Sequence, residues 1–141
     1  MVRKIGAVIA GLAVVGVMVA TLQWISAGLY PLPEGVDPMD PADADAFARY
    51  LATLPVAGWA IAFGSELLGG FFGALTAGWI ARDQPRVFSG VIVGAALLGS
   101  LFNWSAFPHP TWFMIGQLIG YPIALMGVWT VLGRREVTPD A

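Results

Sequence analysis

The stretch from Trp59 to Trp79 reads W-A-I-A-F-G-S-E-L-L-G-G-F-F-G-A-L-T-A-G-W and indicates a helix that crosses a membrane. It is apolar and rich in glycine, and it carries a single acid, Glu66, near its middle. An ionised carboxylate at the centre of a membrane helix costs about 2.5–3.5 kcal/mol on insertion scales. A chain keeps such a group only where it is shielded, paired, protonated or used. We therefore expect the other helices to be arranged around Glu66.

Composition supports a membrane protein. The chain has 141 residues, of which 57% are hydrophobic and 11% are charged. Soluble domains carry about 25% charged residues, so an ordinary soluble domain is excluded. The net charge of −2 gives no reason to expect a nucleic-acid partner. The absence of cysteine excludes disulfides, thiolate catalysis and cysteine-ligated metal sites.

Four apolar stretches are long enough to cross about 30 Å of hydrocarbon. They predict an all-α integral membrane protein, a four-helix bundle that forms one domain over residues 1–141, with spans at about 5–29, 55–81, 87–104 and 111–132. A cleaved signal peptide is the alternative for the first stretch. Its apolar core would usually be shorter, about 7–15 residues. Here the run continues to Trp24 and Tyr30, which favours an uncleaved span.

Basic residues predict the orientation of the bundle. Six of them fall on one side of the predicted membrane and one, Arg49, falls on the other; the six are Arg3, Lys4, Arg82, Arg86, Arg134 and Arg135. The positive-inside rule places the richer side in the cytoplasm. We therefore expect both termini in the cytoplasm and the long connection at residues 31–54 outside.

The long connection contains a predicted amphipathic helix. Asp40 followed by Pro41 is typical of a helix start. Apolar residues then recur at helical spacing, at Phe47, Tyr50, Leu51 and Leu54. We expect this helix on the outer face or the mouth of the bundle. Its acids also suggest a divalent-cation loop, but the central glycine and distal glutamate of an EF-hand are missing, which favours a solvated helix face.

Small residues recur every four positions in three of the predicted spans. Such stripes let helix backbones approach closely in a membrane. The predicted packing positions are Gly69 and Gly73, then Gly70 and Gly78, on the second span, Gly90 and Gly94 on the third, and Gly116 and Gly120 on the fourth. These glycines either pack against other helices of the same protomer or contact a second protomer.

Polar side chains concentrate toward the outer half of the predicted bundle. With Glu66 they form a candidate functional cluster of Gln23, Ser65, Asn103, His109 and Gln117. We expect a small cavity that opens to the outside with Glu66 at its floor. Each residue also has a structural interpretation: Glu66 protonated and bonded to Gln117 or Ser65, and the others at the membrane interface. No nucleophile–base pair, metal site or cofactor motif is predicted.

A possible internal repeat relates the two halves of the chain. The segment from Gln23 to Pro33 and the segment from Asn103 to Pro110 both read amide, Trp, Ser-Ala, aromatic, Pro-x-Pro. This order suggests two helical hairpins related by an axis along the membrane normal. The alternative is that membrane interfaces attract Trp, Pro and amide residues in any protein.

Three motifs together carry a family resemblance. They are E-G-V-D-P-M-D-P at residues 34–41, A-R-Y-L-A-T-L-P at 48–55 and P-H-P-T-W-F at 108–113, with the glycine-rich helix between the last two. This succession resembles small four-helix bacterial membrane proteins of unassigned function, over most of the chain. The resemblance implies a bacterial inner membrane and four spans, and it implies no activity.

Two classes of function fit these features. The first is a non-enzymatic accessory or assembly subunit that docks on another membrane protein or on a second copy of itself, which the glycine stripes favour. The second is a small oligomeric transporter, or a proton or cation pathway, with Glu66 as its buried ionisable site, which the polar cluster favours. Four helices leave little room for an enclosed path, so the sequence favours the first class.

Overall fold

The computed structural model describes residues 1–136, and side chains as far as residue 133. The described residues form five α-helices: α1 (Val2–Leu29), α2 (Ala44–Thr53), α3 (Val56–Ile80), α4 (Pro85–Ala106) and α5 (Thr111–Glu136), with a short 3-10 turn at Pro41–Asp43. The side chains of Arg134 and Arg135, used above to predict orientation, lie outside the described part.

The predicted membrane fold is confirmed. Within residues 1–136, the four helices α1, α3, α4 and α5 are long and apolar enough to cross a membrane. They differ from the predicted spans only at their ends. The described chain contains no β-strand, and α2 lies in the predicted long connection. The fold is therefore an all-α bundle of four long apolar helices with one short additional helix.

Helix α3 is the centre of the bundle. It packs against α1, α4 and α5, and its most extensive contacts are with α1. The neighbouring pair α1 and α4 makes few contacts by comparison. The apolar core lies between α3, α4 and α5 and includes Ala74, Ile92, Tyr121 and Val128. The helix that carries Glu66 thus contacts every other long helix.

Both predicted glycine stripes on α3 are packing surfaces, and they face different neighbours. A Cβ atom added at Gly73 would lie 2.6 Å from the carbonyl oxygen of Gly11 in α1. One added at Gly69 would lie 3.3 Å from the carbonyl oxygen of Val15, also in α1. Gly70 and Gly78 lie on the opposite side, where Gly70 contacts Tyr121 of α5. Glycine therefore sets the distance between α3 and α1, and sequence reasoning missed Gly11 as the partner.

The glycines predicted to pack against another helix do so on α5 and meet no neighbouring helix on α4. Gly116 and Gly120 of α5 lie against Phe63 and Leu67 of α3, so these two positions are packing sites. Packing within one protomer is wrong for Gly90 and Gly94, because a Cβ added at either would meet nothing within 4 Å in the described chain, and contact with a second protomer stays a prediction for them. The reason is rotation: α4 buries Ser89, Ile92, Val93 and Ser100, which turns its glycines away from α3.

Polar contacts fix both ends of the bundle. At the base end, where α1 begins and α3 meets α4, Arg3 forms an ion pair with Asp83. Lys4 Nζ also donates to Gln84 Oε1 at 3.2 Å. At the mouth end, where α1 ends and α3 begins, the hydroxyl of Tyr50 in α2 donates to the carbonyl oxygen of Tyr30 at 2.6 Å. This bond ties α2 to the end of α1.

Candidate functional site

Glu66 is bonded to two neighbouring helices through one carboxyl oxygen. Its Oε2 accepts a hydrogen bond from Ser100 Oγ of α4 at 2.5 Å and one from Gln117 Nε2 of α5 at 2.8 Å. The hydroxyl of Tyr121 lies 2.9 Å from Ser100 Oγ and extends the network. The carboxyl group thus joins α3, α4 and α5 at one point inside the bundle.

The sequence identified Gln117 as a partner of Glu66, and it missed Ser100 and Tyr121. The prediction that Ser65 reaches Glu66 is wrong, since Ser65 Oγ donates to the carbonyl oxygen of Ala62 at 2.7 Å. Consecutive residues on a helix point in different directions, which separates Ser65 from its neighbour. Position along the helix could have identified Ser100 as a partner. Ser100 and Gln117 each lie about six residues, or about 9 Å, from the mouth end of their helix, and so at a similar depth.

The second carboxyl oxygen is open. Within the described residues, Glu66 Oε1 accepts no hydrogen bond from the protein, whereas Oε2 accepts two. Glu66 lines a cavity of about 300 Å³ at the mouth end, which we call the mouth cavity. Gln23, Ser26, Asn103 and His109 contribute polar groups to its wall. Four members of the predicted cluster, namely Gln23, Glu66, Asn103 and His109, therefore share one cavity.

The short helix α2 closes one side of the mouth cavity. The apolar residues predicted to form its buried face, Phe47, Tyr50 and Leu51, line the cavity with Leu54. Burial raises the pKa of the Tyr50 hydroxyl above its ordinary value of 10.0, so this group remains a hydrogen-bond donor at neutral pH. The position of α2 is thus the mouth of the bundle, one of the two predicted alternatives.

His109 is held in a fixed orientation at the cavity wall. Its Nδ1 lies 2.8 Å from the carbonyl oxygen of Phe107, and its Nε2 lies 3.5 Å from Asn103 Nδ2. A carbonyl oxygen only accepts, so Nδ1 carries a hydrogen. The ring centroid lies 5.3 Å from that of Trp59 and 5.2 Å from that of Phe113. The imidazole is therefore positioned by aromatic contacts and by the loop backbone.

The mouth cavity is lined by a carboxyl group and, within the described residues, by neither lysine nor arginine. Its ionisable lining groups are Glu66, His109, Tyr30 and Tyr50. Aromatic rings also form part of the wall, including Trp59 and Phe47. Carboxylates and aromatic faces both attract positive charge. The cavity is chemically suited to a small positively charged solute.

Two buried polar atoms near the site have no hydrogen-bond partner in the described part of the chain. They are Gln117 Oε1 and Trp104 Nε1. Gln117 is fully buried, so its amide is satisfied on the nitrogen side by Glu66 and unsatisfied on the oxygen side. An unsatisfied buried carbonyl costs about 1–3 kcal/mol. Within the described residues, Gln117 thus bonds to the site through its amide nitrogen alone.

The acidic connection is organised by its own backbone. Asp43 Oδ2 accepts from the amide of Asp37 at 2.9 Å, and Asp37 Oδ1 accepts from the amide of Met39 at 2.8 Å. Asp40 Oδ1 accepts from Ala42 N at 2.9 Å, which confirms the predicted cap before Pro41. Among the residues described, no three His, Cys, Asp or Glu side chains converge on a common point. These carboxylates shape the loop that holds α2.

Comparison with known proteins adds no assignment: no protein-family model matches the chain, and no curated protein or solved structure is detectably similar to it.

Proposed function

We propose that this multi-pass membrane protein binds a small positively charged solute in the mouth cavity, with Glu66 as the charged ligand, as part of a cation or solute pathway. The observation that carries the proposal is the asymmetry of the carboxyl group. One oxygen is held by Ser100 and Gln117, and the other has no protein partner while the residue lines the cavity. The second oxygen is therefore available to a solute in the mouth cavity.

The surroundings of Glu66 support binding of a cation. The two donors fix the carboxyl group in place, so little side-chain entropy is lost when a solute binds. Gln23 and Asn103 contribute side-chain amides to the same wall. A volume of about 300 Å³ lies at the lower end of the range for small-molecule pockets. The mouth cavity thus suits a compact cation with few heavy atoms.

Thermal unfolding of the purified protein in mild detergent tests the proposal. Methylammonium chloride is titrated against sodium chloride at equal ionic strength. A ligand present at 100 times its Kd stabilises the folded state by about 2.7 kcal/mol, so the midpoint should rise and saturate. Glu66→Gln keeps the shape of the side chain and removes its charge, and it should abolish the shift.

A matched control removes a carboxylate elsewhere. Asp45 is exposed on α2 and does not line the mouth cavity. Asp45→Asn should therefore leave the methylammonium shift unchanged. An equal shift in wild type and Glu66→Gln, or no shift with any small cation in wild type, would contradict the proposal.

The proposed setting is a bacterial inner membrane with both termini in the cytoplasm. The positive-inside pattern supports this orientation, and the family resemblance supports the membrane. The ion pair between Arg3 and Asp83 is consistent with it, because it joins the start of α1 to the connection between α3 and α4 at the base end. In this orientation the mouth cavity opens to the outside.

A second candidate function is that of an accessory or assembly subunit, and one observation favours it. Gly90 and Gly94 form a surface on α4 that no other helix of the described chain covers. A partner helix, from another membrane protein or a second copy, would approach closely there. Native mass spectrometry in mild detergent tests this idea, with Gly94→Leu expected to dissociate the complex. A monomer with no partner would exclude it.

A further inference from the structure

A second cavity lies on the other side of Glu66, between α1 and α4. Its volume is about 320 Å³, and we call it the lateral cavity. Leu12, Val15 and Val19 of α1 form one wall, and Glu66 lies at its inner end. Apart from the polar groups around Glu66, this wall is aliphatic.

The lateral cavity opens toward the membrane. Leu12 of α1 is 43% exposed, and Gly99 of α4 is exposed, although both lie within membrane spans. On the α4 side the wall consists of the small residues Ala95, Ala96 and Gly99 together with Ser100 and Asn103. The loose contact between α1 and α4 follows from these short side chains. An apolar group in the hydrocarbon layer therefore has access to the space beside Glu66.

Glu66 and Asn103 line both cavities. The carboxyl group thus stands where a polar, aromatic cavity at the mouth end meets an aliphatic cavity within the span. A ligand that satisfies both walls needs a positively charged head and an apolar tail. We propose that the protein binds an amphiphilic monoamine, with its ammonium group at Glu66 and its alkyl tail in the lateral cavity. This inference rests on the proposed function.

The chemistry of the two walls favours an alkylammonium ion over the other occupants. A divalent metal needs several oxygen ligands, and no three carboxylate or imidazole groups converge in the described residues. A phospholipid carries an anionic phosphate, which the negative charge of Glu66 repels at short range. A single alkyl chain ending in an ammonium group matches both the charge and the apolar wall.

Two amines that differ in the length of their alkyl chain distinguish this inference from the proposed function. Methylammonium and hexylammonium chloride are titrated into the protein in lipid nanodiscs, with empty nanodiscs as the blank and tryptophan fluorescence as the readout. Methylammonium tests the head site alone. Hexylammonium should bind at least about tenfold more tightly, since each buried methylene group strengthens binding severalfold.

A variant of the lateral cavity tests where the tail lies. A Cβ added at Gly99 meets nothing within 4 Å, so Gly99→Leu fills the cavity without straining the helix. It should reduce the affinity for hexylammonium to that for methylammonium and leave methylammonium binding unchanged. Gly16→Leu is the matched control, because a Cβ added at Gly16 of α1 also meets nothing within 4 Å and Gly16 does not line the lateral cavity.

Each result has a distinct meaning. Equal affinity for the two amines in wild type, or a hexylammonium preference that survives in Gly99→Leu, would overturn the inference and leave the proposed function standing. An ordinary acyl chain that occupies the lateral cavity produces the first of these outcomes. If neither amine binds to wild type, or if both bind to Glu66→Gln as tightly as to wild type, the proposed function is overturned and the inference with it.

Discussion

Replacing Gly73 by alanine tests how α1 and α3 are held together. The added Cβ would lie 2.5 Å from Cγ2 of Val15 and 2.6 Å from the carbonyl oxygen of Gly11. Unstrained carbon contacts lie at about 3.5–4.0 Å. A valine side chain can change rotamer, but the carbonyl of Gly11 is part of the backbone of α1. The contact is therefore relieved only if α1 moves away from α3 by about 1 Å.

The expected magnitude follows from two opposing terms. Overpacking of this kind costs typically about 1–3 kcal/mol. Removing a glycine from a helix interior returns roughly 0.5–1 kcal/mol. Gly73→Ala should therefore be destabilising by up to about 2.5 kcal/mol. Gly94→Ala is the matched control, because its Cβ meets nothing within 4 Å, and it should be neutral or slightly stabilising.

Reversible unfolding of the purified protein in mixed micelles, followed by circular dichroism, measures both variants. The two substitutions are expected to change the free energy of unfolding in different directions. A general effect of replacing glycine by alanine therefore cannot explain the difference. If Gly73→Ala is as stable as Gly94→Ala, the close contact between α1 and α3 does not govern stability, and the packing argument fails.

Two further predictions concern the mouth end of the bundle. Tyr50→Phe removes the hydrogen bond to the carbonyl oxygen of Tyr30, worth about 0.5–1.5 kcal/mol, so amides of α2 should exchange faster with deuterium while those of α3 do not. Unchanged exchange in α2 would show that apolar contacts alone hold this helix. The orientation is tested with Asp43→Cys in a chain that has no native cysteine. An impermeant maleimide should label it in intact cells, and labelling only after lysis would reverse the orientation.

The sequence predicted the features that depend on composition and depth. Long apolar stretches predict spans because hydrocarbon excludes exposed polar backbone. Position along the helices placed Gln117 in the outer half of the bundle and Glu66 about midway, and the hydrogen bond between them confirms Gln117, one of the two predicted partners of Glu66. The helical spacing of Phe47 and Tyr50 predicted the face of α2 that lines the mouth cavity. Each of these features follows from distance along the helix or from one amphipathic face.

The features that the sequence did not predict depend on the rotation of each span about its own axis. A soluble helix shows its buried face as an apolar stripe, whereas a span is apolar all round. Nothing in the pattern therefore distinguished Gly90 and Gly94, which face away, from Ser100, which faces Glu66. The partner of Gly73 was missed for the same reason, since Gly11 lies in a helix without any clear stripe.

The role of Gln117 can be separated from packing by replacing it with leucine. The change removes one hydrogen bond to a carboxyl group, worth about 1.5–3 kcal/mol, and it removes a buried carbonyl whose missing partner costs about 1–3 kcal/mol. These terms nearly cancel, so Gln117→Leu should unfold close to wild type. Glu66, however, keeps only Ser100 as a donor, so the carboxyl group is less firmly positioned and methylammonium should bind more weakly. A large loss of stability with unchanged methylammonium affinity would instead identify Gln117 as a purely structural link between α3 and α5.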